Sequence, residues 1–133
     1  MPPDPGSFAS VRTGELALER NDSGLAVLTI SGEHDLSTAP SLRRRLDNLL
    51  GDRTATVVDL SPATFIDSSI LGVILDGRRR ATEKGIGFAV VHSNGADAVD
   101  RVLEVTGLRT ELPVHARREE AFTEATGAGT PPA

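Results

Sequence analysis

The sequence contains no cysteine, no tryptophan and no tyrosine, and its four phenylalanines supply all of its 3% aromatic content. Without cysteine, disulfides, thiol nucleophiles and cysteine-based metal sites are excluded. The three histidines (His34, His92 and His115) are far apart and form no H-x-x-x-H ligand motif. So few rings also argue against a base-stacking platform for single-stranded nucleic acid. We therefore expect a core of Leu, Ile, Val and Ala, with no metal and no cofactor.

Positive charge is scarce too, since the 14 Lys and Arg residues are outnumbered by 19 Asp and Glu residues, which gives a net charge of −5. A duplex-binding domain usually carries a basic field, so a nucleic-acid partner is not expected. The two arginine triplets, Arg43–Arg45 and Arg78–Arg80, are predicted to lie on solvated helix faces. The apolar runs are too short to cross a bilayer, and the first ten residues lack the regions of a signal peptide. The sequence thus predicts a soluble cytoplasmic protein without membrane attachment.

The 133 residues have the length of one ordinary domain. Residues 1–12 and 127–133 are rich in Pro and Gly and lack periodicity, so they are predicted to be a flexible arm and a flexible tail. The folded domain is predicted to span residues 13–126, and no internal repeat is visible.

Strand-like and helix-like patterns alternate along this domain. Two apolar-polar segments, 15–20 and 25–30, flank the turn signal Asn-Asp-Ser-Gly and predict a β-hairpin. A polar loop is expected at 31–35 and a second loop at 61–66. Helices are predicted near 38–50, 67–82, 94–106 and 121–125, and further strands near 54–60, 86–91 and 112–115. This order predicts an α/β domain whose mixed, mostly parallel sheet carries the hairpin at one edge and is covered by about four helices.

The segment with the clearest chemical meaning is the first turn of the helix predicted from residue 67. It holds Asp67, Ser68 and Ser69 after a strand-to-helix loop, which is where such folds meet ligands and partners. Unpaired N–H groups and the helix dipole favour an anion there, including a phosphate on Ser68. The same three residues also form an ordinary helix N-cap, which is the commoner use. The residues alone leave both interpretations open.

Four segments together resemble a known family. Phe65–Leu75 (FIDSSILGVIL) resembles the signature of STAS domains, and specifically of the bacterial anti-sigma factor antagonists. Ser31–Ala39 is similar to their Gly-Glu-x-Asp motif, and Val58–Ser61 and Val105–Leu108 match two further landmarks. The likeness covers about residues 13–125 in the same order.

The resemblance implies a STAS-like fold and a partner-switching role without enzymatic activity or catalytic residues. Ser68 would be the phosphoacceptor, and the kinase would be the partner itself, an anti-sigma factor with serine kinase activity. The unphosphorylated protein would bind this factor and release the sigma factor for transcription. Phosphorylation would break the complex, and a serine phosphatase would restore it. Asp35 would contact the partner, together with Asp67 and Ser69 beside the acceptor.

One position departs from the family pattern, because Ile70 stands where a glycine usually follows the two serines. By helical spacing Ile70, Val73 and Gly77 share a stripe that is offset from Leu71 and Ile74. If the second stripe packs on the sheet, Ile70 and Val73 form an exposed apolar pair in the partner-binding patch. The alternatives, that Ile70 packs on the 62–66 loop or marks a protein that is no longer phosphorylated, stay open.

Other functions remain as alternatives. A serine hydrolase would need a G-x-S-x-G turn, which is missing, and a histidine base near the serine. His34 is expected in the exposed loop with Asp35, where it could tune partner binding. A non-switching scaffold, such as a stressosome subunit or a transporter-linked STAS domain, is the other alternative. The sigma factor pathway, its signal, nucleotide binding and weak homo-oligomerisation are left undetermined by the sequence.

Overall fold

A computed structural model describes residues 14–93, 98–107 and 111–127. The predicted arm lies outside these residues, as does the predicted tail apart from Gly127. The described residues form six strands and four helices: β1 Glu15–Arg20, β2 Ala26–His34, α1 Ala39–Gly51, β3 Thr56–Asp59, β4 Ala63–Ile66, α2 Ser68–Lys84, β5 Phe88–Val91, α3 Ala98–Thr106, β6 Val114–His115 and α4 Arg118–Gly127.

The six strands form one mixed sheet in the order β1-β2-β3-β5-β6, with β4 paired to the far end of β2. β1 runs antiparallel to β2, and the other pairs are parallel. The hairpin turn is held by Asn21, whose side-chain oxygen accepts the N–H groups of Ser23 and Leu25. Gly24 follows at φ +86°, a conformation that glycine adopts without steric cost. The predicted α/β class and its hairpin edge are therefore confirmed.

Most of the two expected loops, 31–35 and 61–66, is strand instead. β2 continues through 31–34, and β4 occupies 63–66. The two segments pair with each other, Gly32 with Ala63 and His34 with Ile66, across a shift in register. Each is short and has no apolar alternation of its own. Their strand conformation depends on hydrogen bonds between segments about 30 residues apart, which a local pattern does not reveal.

Apolar side chains fill both faces of the sheet. The larger cluster lies beneath α1, α2 and α3, and is built mostly of Leu, Ile, Val and Ala, as the sequence predicts. On the opposite face α4 packs through Ala121 and Ala125 against Val57, Ala89 and Val91. No helix of the described residues has both the length and the apolar character needed to span a bilayer.

Helices α1 and α2 lie side by side and run in the same direction. Arg43 pairs with Asp76 at 3.2 Å and Asp47 with Arg80 at 2.8 Å, and both pairs join residues 33 positions apart. The first turns of the two helices are therefore neighbours as well.

The arginine triplets differ from each other. Arg43, Arg44 and Arg45 are exposed, as predicted. All three members of the second triplet bind carboxylates of the same chain. The carboxylates belong to Glu124, Glu111 and Asp47.

Candidate functional site at the carboxyl ends of β2 and β4

Two matching turns lie side by side where β2 and β4 end. His34 and Ile66, the last residues of these strands, are paired in parallel register. Each is followed by an Asp-x-Ser sequence that leads into a helix. Because adjacent strands lie roughly 4.8 Å apart, the two turns are immediate neighbours. The tertiary fold thus brings together the predicted site residues Asp35, Asp67, Ser68 and Ser69.

Asp67 caps helix α2. One of its side-chain oxygens, Oδ1, accepts the N–H of Ser69 at 3.0 Å and that of Ile70 at 3.1 Å. The Ser69 hydroxyl donates to the same oxygen at 2.5 Å. The expectation of unpaired N–H groups in this turn is therefore wrong for Ser69 and Ile70, because the Asp67 carboxylate already uses them.

Ser68 is the first residue of α2, and its side chain is exposed. Ser69 is half-buried, and its hydroxyl is engaged by Asp67. Ser68 is consequently more accessible to a partner than Ser69. The cap and the phosphoacceptor interpretations are also compatible, since the cap rests on Asp67 and leaves Ser68 facing solvent.

Asp35 organises the neighbouring turn in the same way. Its Oδ1 accepts the N–H of Ser37 at 2.9 Å and the Ser37 hydroxyl at 2.6 Å. These two bonds, the hydroxyl first, hold the pKa of the Asp35 carboxyl below its usual value of 3.8. Asp35 is exposed, so a charged carboxylate faces solvent at neutral pH.

His34 does not lie in an exposed loop, which corrects the expectation for it. It ends β2 and is only 1% exposed. Its Nε2 donates to the carbonyl oxygen of Ser31 at 3.0 Å, and its Nδ1 lies 3.1 Å from the Thr38 hydroxyl. A Cβ on Gly14 would lie 2.0 Å from Nε2, so the chain packs directly on the ring. His34 thus supports the turn at Asp35 and does not serve Ser68 as a base.

The expected exposure of Ile70 and Val73 is wrong. Ile70 is 0% exposed and Val73 4% exposed, and both belong to the main core. Their stripe continues to Gly77, where an added Cβ would lie 3.1 Å from Leu46 of α1 and 3.4 Å from Phe88 of β5. Helix α2 is therefore enclosed between α1 and the sheet, and neither side chain is placed to contact a partner directly.

The sequence patterns did not indicate a role for two residues of this region, Leu36 and Gly72. Leu36, between Asp35 and Ser37, is 72% exposed. Gly72 lies one turn after Ser68 on the exposed side of α2, with nothing within 4 Å of where its Cβ would be. The repeated Asp-x-Ser pattern was the available signal for Leu36, because it places Leu36 and Ser68 at equivalent positions. Among the described residues, no group of three or more His, Asp or Glu side chains could hold a metal ion.

Comparison with known proteins gives a consistent assignment. Residues 16–121 match the family model described as "STAS domain". The anti-sigma F factor antagonist of Paenibacillus polymyxa is 33% identical over 103 residues, which span 76% of this chain and 86% of that protein. The anti-sigma-F factor antagonist RsfB of Mycobacterium tuberculosis is 32% identical over 109 residues, or 79% of this chain and 84% of RsfB.

A solved structure agrees with these relatives. The crystal structure of an anti-sigma factor antagonist from Mycobacterium paratuberculosis superimposes with a TM-score of 0.73 at 28% identity. The match covers 86% of this chain and 96% of that one. The similarity thus extends over nearly the whole of the solved relative.

Proposed function

This chain belongs to the STAS domain family, and on that premise we propose that it is an anti-sigma factor antagonist switched by phosphorylation of Ser68. In its unphosphorylated form it binds a kinase-type anti-sigma factor and thereby releases the sigma factor. The names of its relatives support antagonism of an anti-sigma factor. The kinase activity of the partner and the switch are the proposed refinements.

The observation that carries the proposal is the contrast between the two serines. Ser68 is exposed at the tip of the turn, whereas the Ser69 hydroxyl donates to Asp67. A kinase approaching the strand ends therefore meets the Ser68 hydroxyl first. Asp67 keeps the helix capped, so modification of Ser68 does not require the turn to open.

Charge explains how a phosphate would act as a switch. Phosphorylation adds roughly −1.5 to −2 charges beside the carboxylates of Asp35 and Asp67. The N–H groups of Ser69 and Ile70 are taken by Asp67 and give the phosphate no new anchor. Two unit charges about 4 Å apart repel by on the order of 4 kcal/mol at a surface-like dielectric, and a full reversal of a two-state preference needs roughly 5.5 kcal/mol. One phosphate facing an acidic or apolar partner surface thus comes close to a complete switch.

Resetting the switch requires removal of the phosphate. We assign this step to a serine phosphatase, because an exposed phosphoserine at a turn apex is accessible to a second protein once the complex has dissociated. The same turn would then be used in succession by the kinase and by the phosphatase.

The test is to incubate the purified full chain with ATP and each kinase-type anti-sigma factor of the same genome, and to record intact mass. We expect one added phosphate, which is lost in Ser68→Ala. Ser69→Ala is the matched control and should still accept one phosphate. We also expect the unphosphorylated chain to bind the same factor. Phosphorylation of Ser68 should weaken this binding.

Three outcomes would count against the proposal. A phosphate retained in Ser68→Ala would move the acceptor elsewhere. Tight binding without phosphorylation would favour a non-switching scaffold. Absence of both binding and phosphorylation would remove the sigma-factor function and leave the STAS assignment intact.

A further inference from the structure

The two neighbouring turns differ in what they present at their apexes. Both are Asp-x-Ser turns in which the aspartate accepts the backbone N–H and the hydroxyl of the serine. The middle residue is held outward in each case. One turn presents Ser68, and the other presents Leu36, whose side chain is 72% exposed.

Two independent observations place Leu36 and Ser68 next to each other. The pairing of His34 with Ile66 brings the residues two positions later, Leu36 and Ser68, onto adjacent strand ends. The ion pairs between α1 and α2 join residues that are 33 positions apart. The same spacing applied to the first turns of the two helices places Leu36 beside residue 69, one position from Ser68. The largest exposed apolar side chain of this turn is therefore beside the proposed phosphoacceptor.

Gly72 adds room on the same surface. It lies one helical turn after Ser68, is exposed, and has open space where a Cβ would be. A glycine inside a helix is less favourable than alanine, and no contact among the described residues requires its small size. An approaching chain would benefit from it, because the absence of a side chain lets a partner come close to the α2 backbone.

We propose that Leu36, Ser68 and Gly72 form one docking surface, here called the tip surface, and that Leu36 determines specificity by entering an apolar pocket of the anti-sigma factor. This inference rests on the proposed function, because a kinase that modifies Ser68 has to cover the residues around it. The charged carboxylates of Asp35 and Asp67 flank the tip surface. The partner that fits the tip surface therefore carries an apolar pocket for Leu36, and a phosphate on Ser68 would add to these carboxylates a charge that such an apolar surface excludes.

The size of the expected effect follows from burial. Transfer of a leucine side chain from water into a pocket corresponds to about a ten- to hundredfold gain in affinity. Leu36→Ala should lose this gain, and Leu36→Met should recover most of it because Met conserves volume and apolar character. In the kinase reaction, Leu36→Ala should raise KM and leave kcat unchanged, since the side chain binds and does not react.

The experiment measures binding and Ser68 phosphorylation of the full chain by the anti-sigma factor that modifies the wild type. Leu36→Ala is compared with Leu18→Ala, which truncates an exposed leucine on β1. Gly72→Ala is compared with Gly51→Ala, at the far end of α1, where an added Cβ also meets open space. We expect the two controls to stay within twofold of the wild type. Gly72→Ala should weaken binding by about fivefold or more without lowering the thermal midpoint.

Each contrary outcome identifies a different error. If the wild type is neither bound nor phosphorylated, the proposed function fails and this inference fails with it. If the wild type is active and Leu36→Ala matches Leu18→Ala, the inference alone is overturned. If the wild type is a dimer that dissociates in Leu36→Ala, the occupant of the tip surface is a second copy of this chain. If Leu36→Ala has a clearly lower thermal midpoint than the wild type, Leu36 is covered within its own chain. Either result would also overturn the inference.

Discussion

At the scale of single residues, the protein uses one hydrogen-bonding device repeatedly. An Asp or Asn side-chain oxygen accepts the backbone N–H of the residue two positions later, which is always a serine. This bond satisfies a donor that the turn would otherwise leave to water. It forms the hairpin turn, the two turns of the candidate site and the turn after β3. The accepting residues are Asn21, Asp35, Asp59 and Asp67.

Asp67 should contribute measurably to stability through its cap. Asp67→Ala removes the acceptor for two N–H groups of α2, and we expect a loss of about 1 kcal/mol in the free energy of unfolding. Asp67→Asn keeps an oxygen in the same place and should remain close to the wild type. Urea unfolding of both variants provides the measurement. Equal losses in the two variants would show that charge, and not the cap, accounts for the effect.

Ser37 should control the pKa of Asp35. Ser37→Ala removes the hydroxyl bond that is the largest cause of the lowered pKa, so the pKa should rise toward its usual value of 3.8. A carboxyl whose pKa is depressed in the folded state stabilises that state above its unfolded pKa, and the contribution disappears as pH falls through the folded pKa. Loss of the hydroxyl should therefore lower the stability at pH values above the unfolded pKa and make no difference in strong acid, where the wild type has lost the same contribution.

An NMR titration of the Asp35 side-chain carboxyl measures this shift directly. Ser41→Ala, an exposed serine of α1, is the control and should leave the titration unchanged. An identical Asp35 titration in Ser37→Ala and in the wild type would contradict the prediction.

At the scale of elements, α2 combines a buried body with an exposed amino end. Seven of its residues are buried, and its stripe through Ile70 faces α1 and the sheet. The helix begins with a capped turn at the strand ends and stops at Gly85, which has a φ of +70°. The rigid body fixes where Ser68 lies, and the exposed first turn makes it available.

Ile70 should act through stability and not through direct partner contact. Ile70→Ala should cost about 2–5 kcal/mol and Ile70→Val about 0.5–1.5 kcal/mol, because both leave a cavity in a fully buried site. Urea unfolding gives these values, and partner affinity of the folded Ile70→Val variant should equal that of the wild type. A large loss of affinity in Ile70→Val without loss of stability would contradict this assignment.

At the scale of the whole molecule, the two faces of the sheet are covered unequally. One face carries three helices and the other carries α4. An ion pair fastens α4 to the sheet, since Arg118 donates through Nε at 2.9 Å to Asp59, which is 4% exposed. A second guanidinium nitrogen of Arg118 lies 2.8 Å from the same carboxylate oxygen. Asp59 also accepts the N–H of Ser61 at 2.8 Å.

Loss of this ion pair should destabilise the domain. Arg118→Ala leaves the buried Asp59 carboxylate with one fewer partner, and we expect a cost of about 1–3 kcal/mol in the free energy of unfolding. Hydrogen exchange should show the loss concentrated in α4, β3 and β5. Arg79→Ala, which removes a mostly exposed ion pair with Glu111, is the control and should cost less than about 1 kcal/mol. Equal costs for the two variants would show that burial of Asp59 does not matter.

The sequence by itself determined the features that depend on local chemistry. The α/β class, the hairpin, the cap at Asp67 and the end of α2 at Gly85 all follow from residues close together in the chain. The Asp-Ser-Ser motif likewise identified Ser68 as the candidate phosphoacceptor, because its family pattern is a short contiguous run.

Only the tertiary structure decided the features that depend on distant partners. β4 exists because it pairs with β2, and Ile70 is buried because α2 is enclosed by α1 as well as by the sheet. His34 is buried for the same kind of reason, since it lies under the chain at Gly14. Leu36 became a candidate contact once the two turns were seen side by side. Pairing and burial arise from contacts between distant segments, so helical or strand periodicity alone cannot establish them.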